Sequence, residues 1–123
     1  MVEDASLDRL NKCLETLHFA FRGLVAEPDS ILKSQGLSRI HHRLLFFIGR
    51  NPGLSVNELV DSMRLTKQAI HKPLKSLVEK DLVAVTRDAA DKRVKRLALT
   101  DQGTALESRL TGIQRELLTH TFD

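Results

Sequence analysis

Lys67, Gln68, His71, Lys72 and Lys75 follow one another at steps of one and three, a spacing that gathers them on one face of an α-helix. Each side chain can donate a hydrogen bond, and none is an acid. Arg87, Lys92, Arg93 and Lys95 follow within a short stretch. Between residues 64 and 96 there are ten Lys or Arg against four Asp or Glu, a surplus of six positive charges. The rest of the chain has nine against twelve, a deficit of three, so the overall +3 conceals a concentrated basic segment. Such a row of donors and cations suits a polyanion: ammonium groups meet phosphate oxygens, and Gln or His reads acceptors on base edges. A basic segment can also be no more than solvated surface. The elements that carry it decide between the two.

Ser55-Val56-Asn57-Glu58 is a capping box that starts a short helix, expected to bury Val56, Leu59, Val60 and Met63. That helix stops near Arg64-Leu65, and Thr66 caps the next one at once, over residues 67–80, with Ile70, Leu74, Leu77 and Val78 as its buried side. Two helices joined so tightly must cross steeply, as in a helix-turn-helix. The period then changes to two: Leu82, Val83 and Val85, the polar turn Asp88-Ala89-Ala90-Asp91-Lys92, then Val94, Leu97 and Leu99. This pattern predicts a β-hairpin with a charged tip, a wing over residues 82–99. An α-helix fits the major groove of DNA, and a basic hairpin beside it can follow the backbone to the minor groove.

Helices flank this unit. Leu7, Leu10, Leu14, Leu17, Phe21 and Leu24 mark an amphipathic helix over residues 6–26, with Ser6 as its cap and Pro28 ending it. Ser38 caps a second helix whose face is Ile40, Leu44, Phe47 and Ile48, closed by Asn51-Pro52-Gly53. After Thr100, Leu106, Leu110, Ile113 and Leu117 form a last helical stripe. The fold class is mainly α with a small β-hairpin, a winged helix-turn-helix with flanking dimerisation helices. One unit spans residues 1–123: an N-terminal dimerisation helix at 1–30, a DNA-binding lobe at 38–99, and a C-terminal dimerisation helix at 100–123. Leu7, Leu10, Leu14, Leu17, Phe21, Leu110, Ile113 and Leu117 are the expected dimer contacts, since these stripes with Leu118 and Phe122 are too apolar for a soluble monomer.

In this order of elements the chain resembles the MarR family of bacterial regulators over almost its whole length. Leu65-Thr66-Lys67-Gln68 through Leu77 to Leu82-Val83 follows that family's recognition helix, and the run from Asp91 to Gly103 matches its D-x-R and L-T-x-x-G wing pattern. The stretch beginning Gly36-Leu37-Ser38-Arg39 is also similar. The resemblance implies a homodimer on a palindromic, inverted-repeat operator, with Thr66, Lys67, Gln68, His71, Lys72, Lys75, Arg87, Lys92, Arg93 and Lys95 at the DNA. By the same resemblance Arg93 reaches the minor groove, Asp91 steadies it, and a small-molecule effector binds between the dimer helices and the lobe in some members. Three features depart from the family. Pro73 interrupts the recognition helix, either as a tolerated bend or as a device that re-aims residues 67–71, and it should push Lys72 out of helical geometry. Asp81 replaces a usual Gly, and the further C-terminal helix typical of the family is missing, which implies a smaller or differently arranged dimer.

Other residues invite chemistry without supporting it. Cys13 sits where peroxide-sensing relatives carry a reactive thiol, but the chain has no Tyr to hold one, so it reads as a small apolar residue at an interface edge. His41 and His42 are adjacent and point about 100° apart on a helix, and His18, His71 and His120 are scattered, so no metal site is expected. Phe19, Phe21, Phe46 and Phe47 read as core and interface. No nucleophile–base pairing or phosphate-binding Gly loop suggests an enzyme, and no cofactor is implied. One cysteine, no signal peptide and no apolar run long enough for a bilayer (the longest is 44–49) point to the cytoplasm, away from the membrane. The alternative function is a winged-helix assembly module that touches protein instead of DNA. Against it stands the acid-free helix face, which lacks the aromatic or aliphatic anchors of a protein contact.

Overall fold

The computed structural model describes the backbone of residues 2–122 and the side chains of residues 4–120. Five helices and one hairpin follow in the order α1 (Val2–Ser34), α2 (Arg39–Arg50), α3 (Val56–Met63), α4 (Lys67–Glu79), β1 (Val83–Arg87), β2 (Lys95–Leu99) and α5 (Asp101–Phe122). Their starts are written in local hydrogen bonds. Ser55 Oγ accepts from the Glu58 N–H at 3.1 Å while the Ser55 N–H donates to Glu58 Oε1 at 3.3 Å, closing the expected capping box. Thr66 Oγ1 accepts from the Ala69 N–H at 3.1 Å to begin α4. At α2 the Ser38 N–H donates to Nδ1 of His41 at 3.0 Å, so an imidazole takes the place that Glu fills in α3.

The core is aliphatic. Leu32 of α1, Leu44, Leu45 and Ile48 of α2, Leu59 of α3, Ile70 and Leu77 of α4, Leu97 of β2 and Leu110 of α5 are essentially inaccessible. In α3 only Leu59 is fully buried, with Val56, Val60 and Met63 packed half-buried around the core. Two sequence expectations need correction here. Leu110, expected at a dimer interface, lies wholly inside this core with Leu106, because the first half of α5 packs on α2. Val78, expected inside, is exposed, as is Val85 of β1. The two belong instead to a groove between α4 and the hairpin.

Both interior prolines are carried by continuous helices. α1 does not end at Pro28 but runs on to Ser34, and Ser6 lies within it instead of capping it. Proline cannot donate to the carbonyl four residues earlier. In α1 that carbonyl, of Leu24, accepts from Gln114 Nε2 of α5 at 3.3 Å. Pro28 is itself buried, beside Leu32 and Val25 on the inner side of α1. In α4, Pro73 is half-buried and Lys72 remains helical, so the expected distortion at Lys72 is not found.

β1 and β2 pair antiparallel with Val83 opposite Leu99 and Arg87 opposite Lys95. The free edge of β2 is covered by the segment before α3: Gly53 N–H donates to Leu97 O at 2.8 Å and Leu97 N–H to Leu54 O at 2.9 Å. The L-T-x-x-G run has a structural reason. Thr100 Oγ1 donates to the Asp81 carbonyl at 2.6 Å and accepts from the Gly103 N–H at 3.0 Å. A Cβ on Gly103 would stand 1.9 Å from the Leu82 carbonyl oxygen, so only glycine lets α5 start there. Asp81, in the place of the family's glycine, takes the left-handed conformation itself, with φ 59°.

Candidate nucleic-acid interface

Side chains that are distant in sequence meet around a groove of about 480 Å³ between α4, the hairpin and the start of α3. Lys67, His71 and Lys75 line it from α4, and Arg93 and Lys95 line it from the wing. Its floor is apolar, with Ile70, Leu74, Val78, Val85, Val94 and Leu97, and no acidic residue lines it. A groove with four cations on its walls and no carboxylate presents a positive field to whatever enters.

The remaining expected contacts are placed differently. Thr66, Gln68 and Lys72 are exposed at the same helix but outside the groove. Thr66 Oγ1 is already engaged as the α4 cap. Arg87 and Lys92 lie on the wing beyond the groove, and Arg87 Nη1 donates to the Lys92 carbonyl at 3.0 Å, bracing the tip. Arg93 projects freely, its side chain 91% exposed, yet it is oriented. Asp91 Oδ1 accepts from the Arg93 N–H and from Nε, both at 3.1 Å, and Oδ2 accepts from Nη2 at 3.3 Å. These bonds, the guanidinium first and the backbone N–H second, hold the Asp91 carboxyl below its ordinary range.

Sequence reasoning passed over Arg96 and Glu58 as partners. Arg96 Nη1 donates to Glu58 Oε1 at 3.0 Å and Arg96 Nε to Asp88 Oδ1 at 3.2 Å. Glu58 is held below its usual carboxylate range mainly by the Ser55 N–H and hydroxyl, with Arg96 adding to them. Asp88 is lowered first by the Asp91 N–H and then by Arg96. In sequence Arg96 reads only as one more cation of a basic run.

The expected dimer contacts divide in two. Leu7, Leu10, Leu14, Leu17 and Phe21 form an exposed stripe on α1, and Leu117 and Leu118 are exposed near the end of α5. Ile113 is half-buried, Leu110 is in the core as described, and Phe122 lies outside the described side chains. Cys13 is exposed on α1. A smaller cleft, about 240 Å³, opens between α1, α2 and α5 and is lined by Phe21, Pro28, Arg39, His42 and Phe46 among others. On its wall Arg39 grips Asp29 (Nη2 to Oδ2, 2.8 Å) and lies over the Phe21 ring. Buried His42 shares a hydrogen bond with Thr111 Oγ1 at 3.1 Å, and that hydroxyl donates to Glu107 Oε1 at 3.2 Å. Among the described residues no three His, Cys, Asp or Glu side chains come together as metal ligands, and no helix is long and apolar enough to cross a membrane.

Two helices crossing through a tight turn at Arg64, followed by a basic hairpin against the second, define a winged helix-turn-helix protein. The sequence model of the MarR family matches residues 35–94. PetP of Rhodobacter capsulatus, an HTH-type transcriptional regulator, is 40% identical over 108 residues, which are 88% of this chain and 65% of that protein. SarZ of Staphylococcus aureus, also an HTH-type transcriptional regulator, is 29% identical over 90 residues, 73% of this chain and 61% of its own length. The chain thus spans less than two thirds of the curated relatives it matches. The crystal structure of Streptococcus pneumoniae FabT in complex with DNA shares the fold, with a TM-score of 0.81 at 18% identity over 95% of this chain and 82% of that one. Over residues 35–94 the chain is thus of the MarR type.

Proposed function

We propose that this protein is a sequence-specific regulator of transcription that binds double-stranded DNA as a homodimer. The observation that carries this reading is the acid-free groove in which Lys67, His71 and Lys75 of α4 face Arg93 and Lys95 of the wing. α4 enters the major groove, where Gln68 and His71, in its first turns, are nearest the base edges. Lys72, Lys75, Arg87, Lys92 and Lys95 meet the phosphates, and Arg93, steadied by Asp91, reaches the minor groove. The names of PetP and SarZ and the DNA in the FabT crystal support the reading. The exposed stripes of α1 and α5 pair across a two-fold axis and set two copies of α4 about 34–36 Å apart, on an inverted repeat with half-sites roughly 10 bp between centres. The cleft between α1, α2 and α5 has room for a small-molecule effector.

A mobility-shift titration on duplex DNA selected from a random library, repeated across a series of salt concentrations, tests this. The logarithm of the binding constant should fall with log salt at a slope near −0.9 per phosphate neutralised, several phosphates per dimer. A slope near zero, or no retention of duplex at low salt, rejects DNA binding and favours an assembly module.

A further inference from the structure

A two-stranded hairpin has little core of its own, so something beyond β-pairing must fix the outer wing. Arg96 of β2 occupies the junction. Its Nη1 donates to Glu58 Oε1 at 3.0 Å and approaches the Gly53 carbonyl at 3.4 Å, while its Nε donates to Asp88 Oδ1 at 3.2 Å. The other Asp88 oxygen accepts the N–H groups of Ala90 at 3.0 Å and Asp91 at 2.9 Å. Asp91 in turn holds Arg93 at 3.1 Å. One connected chain of polar contacts therefore runs from the cap of α3, inside the helix-turn-helix, to the guanidinium at the wing tip. The two arginines differ in exposure: the Arg96 side chain is 35% exposed with acceptors from three residues around it, and that of Arg93 is 91% exposed with the single carboxylate of Asp91.

We infer that Arg96 is a positioning residue that registers the wing against the helix-turn-helix and thereby aims Arg93, without itself meeting DNA. The planar fork suits this role, because one guanidinium serves acceptors in different directions where an ammonium on a flexible stem serves as a point charge. The inference rests on the reading of Arg93 as the wing's DNA contact, and its test keeps the two apart.

The test uses the full chain with R93A, R96A, R96K and R93A/R96A, the library-selected duplex as probe, and amide hydrogen exchange without DNA. In R96A the Ala90 and Asp91 amides should exchange faster while those of the α4 core do not. Duplex affinity should fall about tenfold in R96A. In the R93A background, removing Arg96 should cost less than about twofold more. R96K should resemble R96A. Unchanged exchange in R96A, penalties that multiply in the double variant, or full rescue by R96K each overturn the inference. If R93A alone binds as tightly as the wild type, the DNA-contact reading of Arg93 fails, and with it the claim that Arg96 aims a contact. If R96A lost its fold, R96K would carry the same two measurements.

Discussion

The α4–wing face and the outer face of α1 are both open to solvent, and they are built from opposite chemistry. The first collects Lys67, Lys75, Arg93 and Lys95 with no acid between them. The second collects Leu7, Leu10, Leu14 and Leu17, each more than half exposed. Charge left exposed costs little in water and acts at a distance that salt controls. Apolar area left exposed is unfavourable at any salt and is relieved only by contact. One face should thus answer to ionic strength and the other to protein concentration. Each therefore has its own perturbation, and a variant of one should leave the other unchanged.

The largest expected effect is on the apolar face. Each leucine buried at an interface is worth about 1.5–3 kcal/mol, and two-fold symmetry counts it twice. Leu10→Glu with Leu14→Glu should weaken the dimer by roughly 10⁴-fold or more. Sedimentation at micromolar concentration measures this, and the monomer should keep its helical circular dichroism because both residues lie outside the core. A double variant that stays dimeric removes α1 from the interface. Next in size is the division within the basic face. Gln68→Ala should cost about 1–3 kcal/mol at one position of each half-site and leave the others alone, whereas Lys75→Ala, lost from both subunits, should weaken every duplex alike and flatten the dimer's salt slope by about 2. Uniform loss from Gln68→Ala would show that the register of α4 on DNA is wrong.

The smallest effect belongs to the joint between the two faces, where α2 meets α5. Burial, above all, pushes His42 below its ordinary 6.5, with Arg43 acting in the same direction and Asp29 against it, and burial lowers His41 as well. The folded protein thus binds these protons less tightly than the unfolded chain. Stability should be full above pH 6.5 and decline as pH falls through that value, levelling off below the folded pKa values. The slope is at most about 1.4 kcal/mol per pH unit for each histidine. Calorimetric Tm values between pH 8 and 5 read it, and His42→Gln, which retains a donor for Thr111, should make the profile shallower. A wild-type Tm that is flat across this range contradicts the assignment.

Much of the fold was legible because its signals are short-range. The Ser55–Glu58 box, the Thr66 cap and the switch from helical to alternating period at Leu82 each lie within a few residues, and all three stand in the structure. What misled was information held elsewhere in the chain. Pro28 reads as a helix end because its replacement donor, Gln114, is 90 positions from Leu24. Leu110 sits on a genuine apolar stripe, but periodicity does not tell which neighbour a stripe covers, and α2 covers this one. Arg96 looked like one more surface cation because Glu58 is 38 positions away. At the candidate site the residue types were readable on the helix face, while the meeting of α4 with the wing around one groove is a property of the packing.

α1 has 33 residues and, at about 1.5 Å per residue, is roughly 50 Å long. Every residue from 4 to 23 is exposed, and the helix is packed into this chain chiefly beyond that stretch, where Gln114 grips the Leu24 carbonyl ahead of Pro28, with Phe21 beneath Arg39 at the margin. That makes α1 a lever with its fulcrum at one end. A tilt of about 10° at Pro28 swings the far end by roughly 6 Å, more than a full turn of helix rise. Small changes in how α5 grips α1, beside a cleft lined by Phe21, Pro28 and Gln114, are thus delivered at the distant tip as a displacement many times larger.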